Sequence, residues 1–421
     1  MAQEPLHLGS LAPELFDQIF FELETIRDLA SFVVTARFVY HRFELQRRAI
    51  LFRVLQNELG PALLDARFLF IFPYSDPGDE VRYYDWIHVM AGVYREILAG
   101  KGDLEVPTHK ELTELCRTLR QINFITDTYA SAQLVLFDFC GGRGTPATAP
   151  LSHRERRRVM RAFYLRQIVS NAWASTRRLA RWRDLDLEAF GDTSREQSKS
   201  LGLFSAFEPW DLQHVDHANV FTMRLCRALV CHAPEVLGEG GAREISPRQF
   251  GDLHAHLNHL VRYLRAHPGV AKAAVGDVQS ATVHPRDESL HQEFVHRHQL
   301  LPLNSSLQAD RARSFPDPIF DKQEQDGLEI DHRIVGDDPG QVPFSWSDAL
   351  RGRHVRWYGL GLTVIPWLPP WESKEKEWAH TSLVSRWRYG GFALWDRERV
   401  EALKRLKKFE PLQTGFLLDR S

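Results

Sequence analysis

Cysteine, net charge and long apolar runs are all scarce in this chain, and each scarcity removes a class of explanation. Four cysteines in 421 residues, Cys116, Cys140, Cys226 and Cys231, are too few and too scattered for a disulfide framework, and no CxxC pair occurs. A reducing compartment is therefore expected. Lys and Arg (53) nearly balance Asp and Glu (55), and the net charge of -2 gives no bulk reason to seek nucleic acid, an anionic membrane or an acidic substrate. No apolar run approaches the ~18 residues of a membrane span, and the opening MAQEPLHLG shows no charged leader followed by an apolar stretch. The expectation is an intracellular protein, cytoplasmic and/or nuclear, with no membrane partner.

Signatures of catalysis are missing as well. The glycine groups GGRG (141–144) and GEGG (238–241) match neither GxGxxG nor a P-loop, and no GxSxG elbow occurs. His254, His256 and His259 lie on an expected helix, where residues two apart face away from each other, and no HExxH glutamate accompanies them. His291, His296 and His298 meet the same objection. No metal, no cofactor and no catalytic residue is expected, and any role is a non-catalytic one.

What the chain does have is helical periodicity, beginning at once. Leu11, Leu15, Phe16, Ile19, Phe20 and Leu23 recur at helical spacing, with Asp17, Gln18 and Glu22 on the other side and Pro13 in the first turn. A short turn over Ile26, Arg27, Asp28 and Leu29 follows, then a second stripe of Phe32, Ala36, Val39, Tyr40 and Phe43. Three helices are expected in this stretch.

These residues resemble the F-box, whose consensus opens Leu-Pro-x-Glu-Leu, continues Ile-x-x-x-Leu and Asp-Leu, and closes on a helix with small, basic and aromatic positions. The matching positions are Leu11, Glu14, Leu15, Ile19 or Phe20, Leu23, Asp28, Leu29, Thr35, Arg37 and Phe43, while Ala12 stands where the family's proline usually does and Pro13 follows it. The resemblance implies a module that docks on the Skp adaptor of a cullin-RING ubiquitin ligase through Leu11, Pro13, Glu14 and Leu15, supported by Ile19, Leu23 and Leu29. The continuation, AILFRVLQNELG and FLFIFPYSDPGD, resembles a group of uncharacterised filamentous-fungal F-box-like proteins. It implies no particular target.

Downstream, Leu45–Leu59 carries a helix that Gly60-Pro61 stops, Leu63–Phe72 is helical or buried, and PYSDPGDE (73–80) is a turn cluster before a helix over Val81–Leu98. Thr108-x-x-Glu111 and Ser152-x-x-Glu155 read as capping boxes opening long helices, with CGGRGTPATAP (140–150) a loop between them. Ser246-Pro247-x-Gln249 opens a further helix running to about Ala266. From 267 to 341 the pattern weakens to a connecting, partly mobile region. No fixed-period repeat is present, so leucine-rich, WD40 and kelch architectures are not indicated.

Two concentrations remain. Arg154, Arg156, Arg157, Arg158, Arg161 and Arg166, then Arg177, Arg178, Arg181 and Arg183, interleave with Phe163, Tyr164, Trp173 and Trp182, as a phosphate-tracking and base-stacking surface would. Those aromatics, however, fall close to one helical stripe with Val159, Met160, Ile168 and Leu179, which favours arginines that are solvated or paired with acids over nucleic-acid contact. Seven of the eleven tryptophans lie between Trp346 and Trp395, so the segment either plugs the helical body or presents a recognition surface, and the plug is favoured. Trp367 and Trp371, in the proline-punctuated IPWLPPWE, are the target-binding candidates.

The expected protein is mainly α: an F-box-like module of three helices (8–45), a helical body (46–266), the connecting region (267–341) and a Trp-rich, partly irregular or β C-terminal segment with a final basic helix, Asp396–Phe409 (342–421). Its expected role is a substrate adaptor with an unknown target protein; the alternative is a helical binding or scaffold protein without ligase association, nucleic-acid contact included.

Overall fold

The structure is a computed structural model that describes residues 12–72, 80–100, 106–173, 203–236, 253, 256–280, 335–336, 342–343, 391 and 394–406. The described chain is mainly helical. Its helices are α1 Pro13–Glu22, α2 Ile26–Val33, α3 Arg37–Leu59, α4 Ala62–Ile71, α5 Glu80–Leu98, α6 His109–Phe137, α7 His153–Trp173, α8 Pro209–Val236, α9 Leu257–Ala266, α10 Pro268–Ser280 and α11 Arg397–Lys404. Two residue pairs, Val335–Gly336 and Val342–Pro343, run parallel to each other. No described helix is long and apolar enough to cross a membrane.

The first three helices close around their own core of Phe16, Phe20, Leu29, Val33, Val39, Phe43, Ile50 and Val54. Phe20 meets Phe32 edge-on at 5.2 Å and tilts against Phe43 at 6.2 Å, so one ring joins all three helices. Burying each such side chain contributes about 1.5–3 kcal/mol. The stretch from Ile26 to Leu29 is helix, not the expected turn. Thr25 caps it: the Asp28 N–H donates to Thr25 Oγ1 at 3.0 Å and the Thr25 hydroxyl donates back to the Asp28 carboxylate at 2.6 Å. The second stripe is accordingly split, with Phe32 on α2, Ala36 as the N-cap of α3, and Val39 and Phe43 on α3.

Helix α3 is two helical segments joined across a kink at Gln46 (φ -125°, ψ 20°), next to the expected boundary at residue 45, and the Gln46 amide donates to Asp17 Oδ2 at 2.8 Å. Arg42 grips the same carboxylate with two N–H groups, at 2.9 and 2.5 Å, so Asp17 is part-buried and paired, not simply on a solvated face. That fork holds the Asp17 carboxyl below its ordinary pKa, and burial opposes it less strongly. Gly60 ends α3 at φ 53°, a conformation glycine adopts without strain.

The body packs α4, α6, α7, α8, α9 and α10 around a second core, in which Tyr129, Phe163 and Phe221 meet edge to face. A third cluster joins α4 and α5 to α7 and the 3-10 turn Leu203–Ala206 through Phe68, Phe72, Tyr94 and Phe207. Three expectations change here. Residues from 267 onward do not begin as a connector: α10 lies along α8 and α6, with Val270 and Ala274 fully buried. The expected continuous helix to Ala266 is broken at His256, which is extended (φ -124°, ψ 106°) and precedes α9. The loop over 140–150 is also tighter than expected, consisting of a π-helical turn, Asp138–Gly142, and a 3-10 turn, Pro146–Thr148. Turn cluster 73–79 and the Ser246-Pro247-x-Gln249 signal lie outside the described residues.

Candidate functional site

The three-helix module presents two kinds of residue. Phe16, Phe20 and Leu29 are consumed by its own core, Leu29 being only 2 % exposed. Pro13, Glu14 and Leu15 stand outward, Leu15 with 45 % of its surface in solvent, while Ile19 and Leu23 are half-buried along one flank of α1. Leu11 lies outside the described residues. Further apolar side chains are exposed at the end of α2 and on α3: Val34 (82 %), the residue that caps α2, then Phe38, Tyr40 and Leu45. Phe38 meets Phe16 edge-on at 5.4 Å, which ties this surface to the start of α1. A shallow groove of about 460 Å³ opens on the other flank of α1, lined by Phe21, Ala49, Phe52 and Val106 with Glu22 and Arg53 beside them.

The module joins the body at two consecutive residues of α3 that no motif singled out. Glu58, nearly buried, accepts from the Ile26 N–H and from the Asn123 side-chain amide, each at 2.8 Å. Ile26 is the first residue of α2, so its N–H has no partner within that helix. Asn57 donates to the carbonyls of Phe21 (2.7 Å) and Leu23 (2.9 Å), closing the end of α1. Arg157 of α7 in turn donates to the carbonyls of Asn57 and Glu58. The only sequence signal was a carboxylate set between Leu55 and Leu59 on an otherwise apolar stripe.

Arg154 at the start of α7 is exposed, Arg156, Arg157, Arg158 and Arg161 are part-buried, and Arg166 is buried. Arg156 pairs with Asp127 at 2.5 Å and donates to Asn123 Oδ1 at 2.9 Å. Arg158 reaches the Asp396 carboxylate and the Trp395 carbonyl. Arg161 bridges two buried carboxylates, donating to Asp65 Oδ2 at 2.9 Å and to both Asp211 oxygens at 2.6 and 2.9 Å, while the Tyr94 hydroxyl donates to Asp65. Burial alone would lower the Arg161 pKa, but Asp211 and Asp65 outweigh it and hold the guanidinium firmly charged. Arg166 is fully buried, and burial pulls its pKa down to about 10, still protonated at neutral pH. Val159, Met160, Phe163, Tyr164 and Ile168 are buried, but so are Ala162, Leu165, Arg166, Val169 and Ser170, so from residue 162 on α7 is covered on all sides rather than along the expected single stripe. Arg177, Arg178, Arg181, Arg183 and Trp182 lie outside the described residues.

His256 is buried against exposed His259, their rings edge to face at 5.2 Å, and among the described residues no group of three potential ligands is arranged to hold a metal. Of the seven C-terminal tryptophans only Trp395 is described, and it is fully buried against Tyr129 and Phe137. Trp346, Trp357, Trp367, Trp371, Trp378 and Trp387 lie outside the described residues, so the target-binding expectation for Trp367 and Trp371 does too.

The two capping boxes differ in use. At Thr108 the hydroxyl accepts from the Glu111 N–H at 3.2 Å, but the Glu111 carboxylate turns away to Arg67 at 2.7 Å. At Ser152 the box closes in both directions, at 2.9 and 3.1 Å, and the Glu155 carboxylate also receives the C-terminal segment through the Asp396 N–H and Arg399. Comparison with models of known protein families, with curated proteins and with solved structures finds no match.

Proposed function

We propose that this chain is an F-box-type substrate adaptor, in which the three-helix module docks on a Skp adaptor and the body brings a target protein to a cullin-RING ubiquitin ligase. The observation that carries the reading is the division of labour within the module. Its core closes with Phe16, Phe20, Leu29, Val39 and Phe43, and Pro13, Glu14 and Leu15 are left outward, outside that core. An outward apolar edge on an otherwise satisfied helix fits a partner surface. The chain then contributes no covalent chemistry; it raises the effective concentration of target lysine near the ubiquitin thioester. Target contact is assigned to Trp367 and Trp371, whose joint change to alanine should lower target recovery and leave Skp recovery intact.

The test is co-purification of the wild type against Leu15→Asp, with circular dichroism on both. Because Leu15 is 45 % exposed, the charge should leave the helical signal intact while Skp and cullin subunits are lost. Unchanged Skp recovery by a folded variant refutes the adaptor reading. Recovery of other partners with no ligase subunit favours the helical scaffold instead.

A further inference from the structure

A fully satisfied buried arginine, Arg399, has no part in the adaptor reading. Arg399 is 4 % exposed, and all five of its N–H donors are used. Nε and Nη2 donate to the two Glu155 oxygens at 2.8 Å each; Nη1 donates to the carbonyls of Ala147 (2.6 Å) and Pro146 (3.3 Å), and Nη2 also to that of Pro150 (3.1 Å). Four residues earlier, Trp395 lies nearly parallel to Tyr129 at 6.0 Å and edge-on to Phe137 at 5.9 Å, with the Arg399 guanidinium 5.5 Å from its own ring. Between them Asp396 accepts from Ser152 Oγ and Arg158. The chain enters through Gly391 at φ 68°, where a Cβ would come within 2.5 Å of Tyr129 Oη.

The walls of this site hold their own shape. Thr145 and Thr148 donate their hydroxyls to the Gly142 carbonyl at 2.6 and 2.9 Å, and the Ala147 N–H donates to Thr145 Oγ1 at 3.2 Å. Gly142 lets the π-helical turn fold tightly, since a Cβ there would meet the Phe137 carbonyl at 2.7 Å. The Ser152–Glu155 box is closed by its own two bonds. None of these involves residues 391–406. The corner therefore offers a ring-lined slot and, beside it, a cage of three carbonyl oxygens and one carboxylate, already aimed at a planar five-donor cation. Its occupant is an eight-residue helix, Arg397–Lys404, too short to be stable apart from the surface it packs on.

We propose that the corner made by the end of α6, residues 138–150 and the start of α7 is a recognition pocket for a turn-to-helix segment of pattern Gly-x-x-x-Trp-Asp-x-x-Arg, occupied in cis by the chain's own C-terminal segment. A ligand carrying that pattern competes with residues 391–406 for the pocket. Selectivity for arginine follows from the cage, because a lysine ammonium has three donors for five acceptor contacts and lacks the fork that matches Glu155. The proposal is independent of docking by the N-terminal module, so either can fail without the other.

The experiment uses the full chain with a protease recognition sequence inserted between residues 380 and 390. After cleavage, a fluorescein-labelled peptide of residues 391–406 is added in excess and followed by anisotropy, with circular dichroism recorded in parallel. The expected result is saturable exchange of labelled peptide for the chain's own fragment at constant helicity, at least 100-fold weaker for an Arg399→Ala peptide and at least 10-fold weaker for Arg399→Lys. A chain with Glu155→Gln should bind the wild-type peptide correspondingly less well. Three outcomes overturn the proposal: the fragment is never exchanged, helicity collapses when it leaves, or the Arg399→Ala peptide binds as well as the wild type.

Discussion

Glu58→Ala is the substitution whose cost is best defined by the structure. The carboxylate is 6 % exposed and holds two donors at once, the Ile26 N–H and the Asn123 amide. Alanine strands both, and each unsatisfied buried donor costs about 1–3 kcal/mol; with both donors only part-buried, about 2–3 kcal/mol in total is expected. Glu58→Gln separates hydrogen bonding from packing. Its single amide oxygen can accept from only one of the two donors, and Asn123 cannot flip to compensate, because its own oxygen already accepts from Arg156 at 2.9 Å. The glutamine variant should therefore lose about half as much as alanine, roughly 1–1.5 kcal/mol. Urea denaturation at pH 7 measures the totals, and amide hydrogen exchange locates them: protection of the Ile26 N–H should fall in the alanine variant, while that of Phe68 in α4 should follow global stability alone. An alanine variant within about 0.5 kcal/mol of the wild type, with Ile26 protection unchanged, would falsify the account of Glu58 as the joint between module and body.

Arg161→Met leaves the buried carboxylates of Asp65 and Asp211 without their shared cation and should cost about 3–5 kcal/mol at neutral pH, with the deficit shrinking as pH falls because burial already raises the Asp65 pKa; urea midpoints across an acid pH series check both statements. Glu155 lies in the opposite regime: burial pushes its pKa up, but Arg399 and the Asp396 and Ser152 N–H groups outweigh burial and hold it below the ordinary glutamate range. Its contribution is thus fully present above pH ~4.3 and lost as pH falls through the lower folded value, so an acid titration of stability should be steeper for the wild type than for Glu155→Gln. Gly391→Ala, which forces a Cβ against the Tyr129 hydroxyl at positive φ, should lower the melting temperature measurably, whereas alanine at Gly100, also at positive φ but with open space around it, should cost less. Affinity for DNA or RNA should be weak and vanish at physiological salt, because Arg156, Arg157, Arg158 and Arg161 are committed to internal partners; filter binding across a salt series tests it.

Local pattern was enough for the elements it could encode. The spacing of Phe16, Phe20, Val39 and Phe43 determined a helical module, Gly60 the end of α3, and Ser152-x-x-Glu155 the start of α7, because each depends on side chains within a turn or two of one another. The same spacing placed Val159, Met160, Phe163, Tyr164 and Ile168 inside, but it could not tell buried Arg166 from exposed Arg154. Where the notion of a weak pattern failed was α10: PGVAKAAVGDV is rich in small residues and shows little contrast between faces, yet it packs tightly against α8, since a helix with small side chains can approach closely.

What the tertiary structure alone decided is who answers each charge. Nothing near Glu155 in sequence announces that Arg399, 244 residues later, fills the other side of its capping box, and nothing near Glu58 announces Ile26 and Asn123. Nor could periodicity tell Leu29, sealed in the module core, from Leu15, left in solvent, although both are leucines on apolar stripes. The physical reason is the same in each case. Periodicity fixes which face of a helix is apolar, but burial and ion pairing are set by what the rest of the chain brings against that face, and those contacts have no signature within one helix.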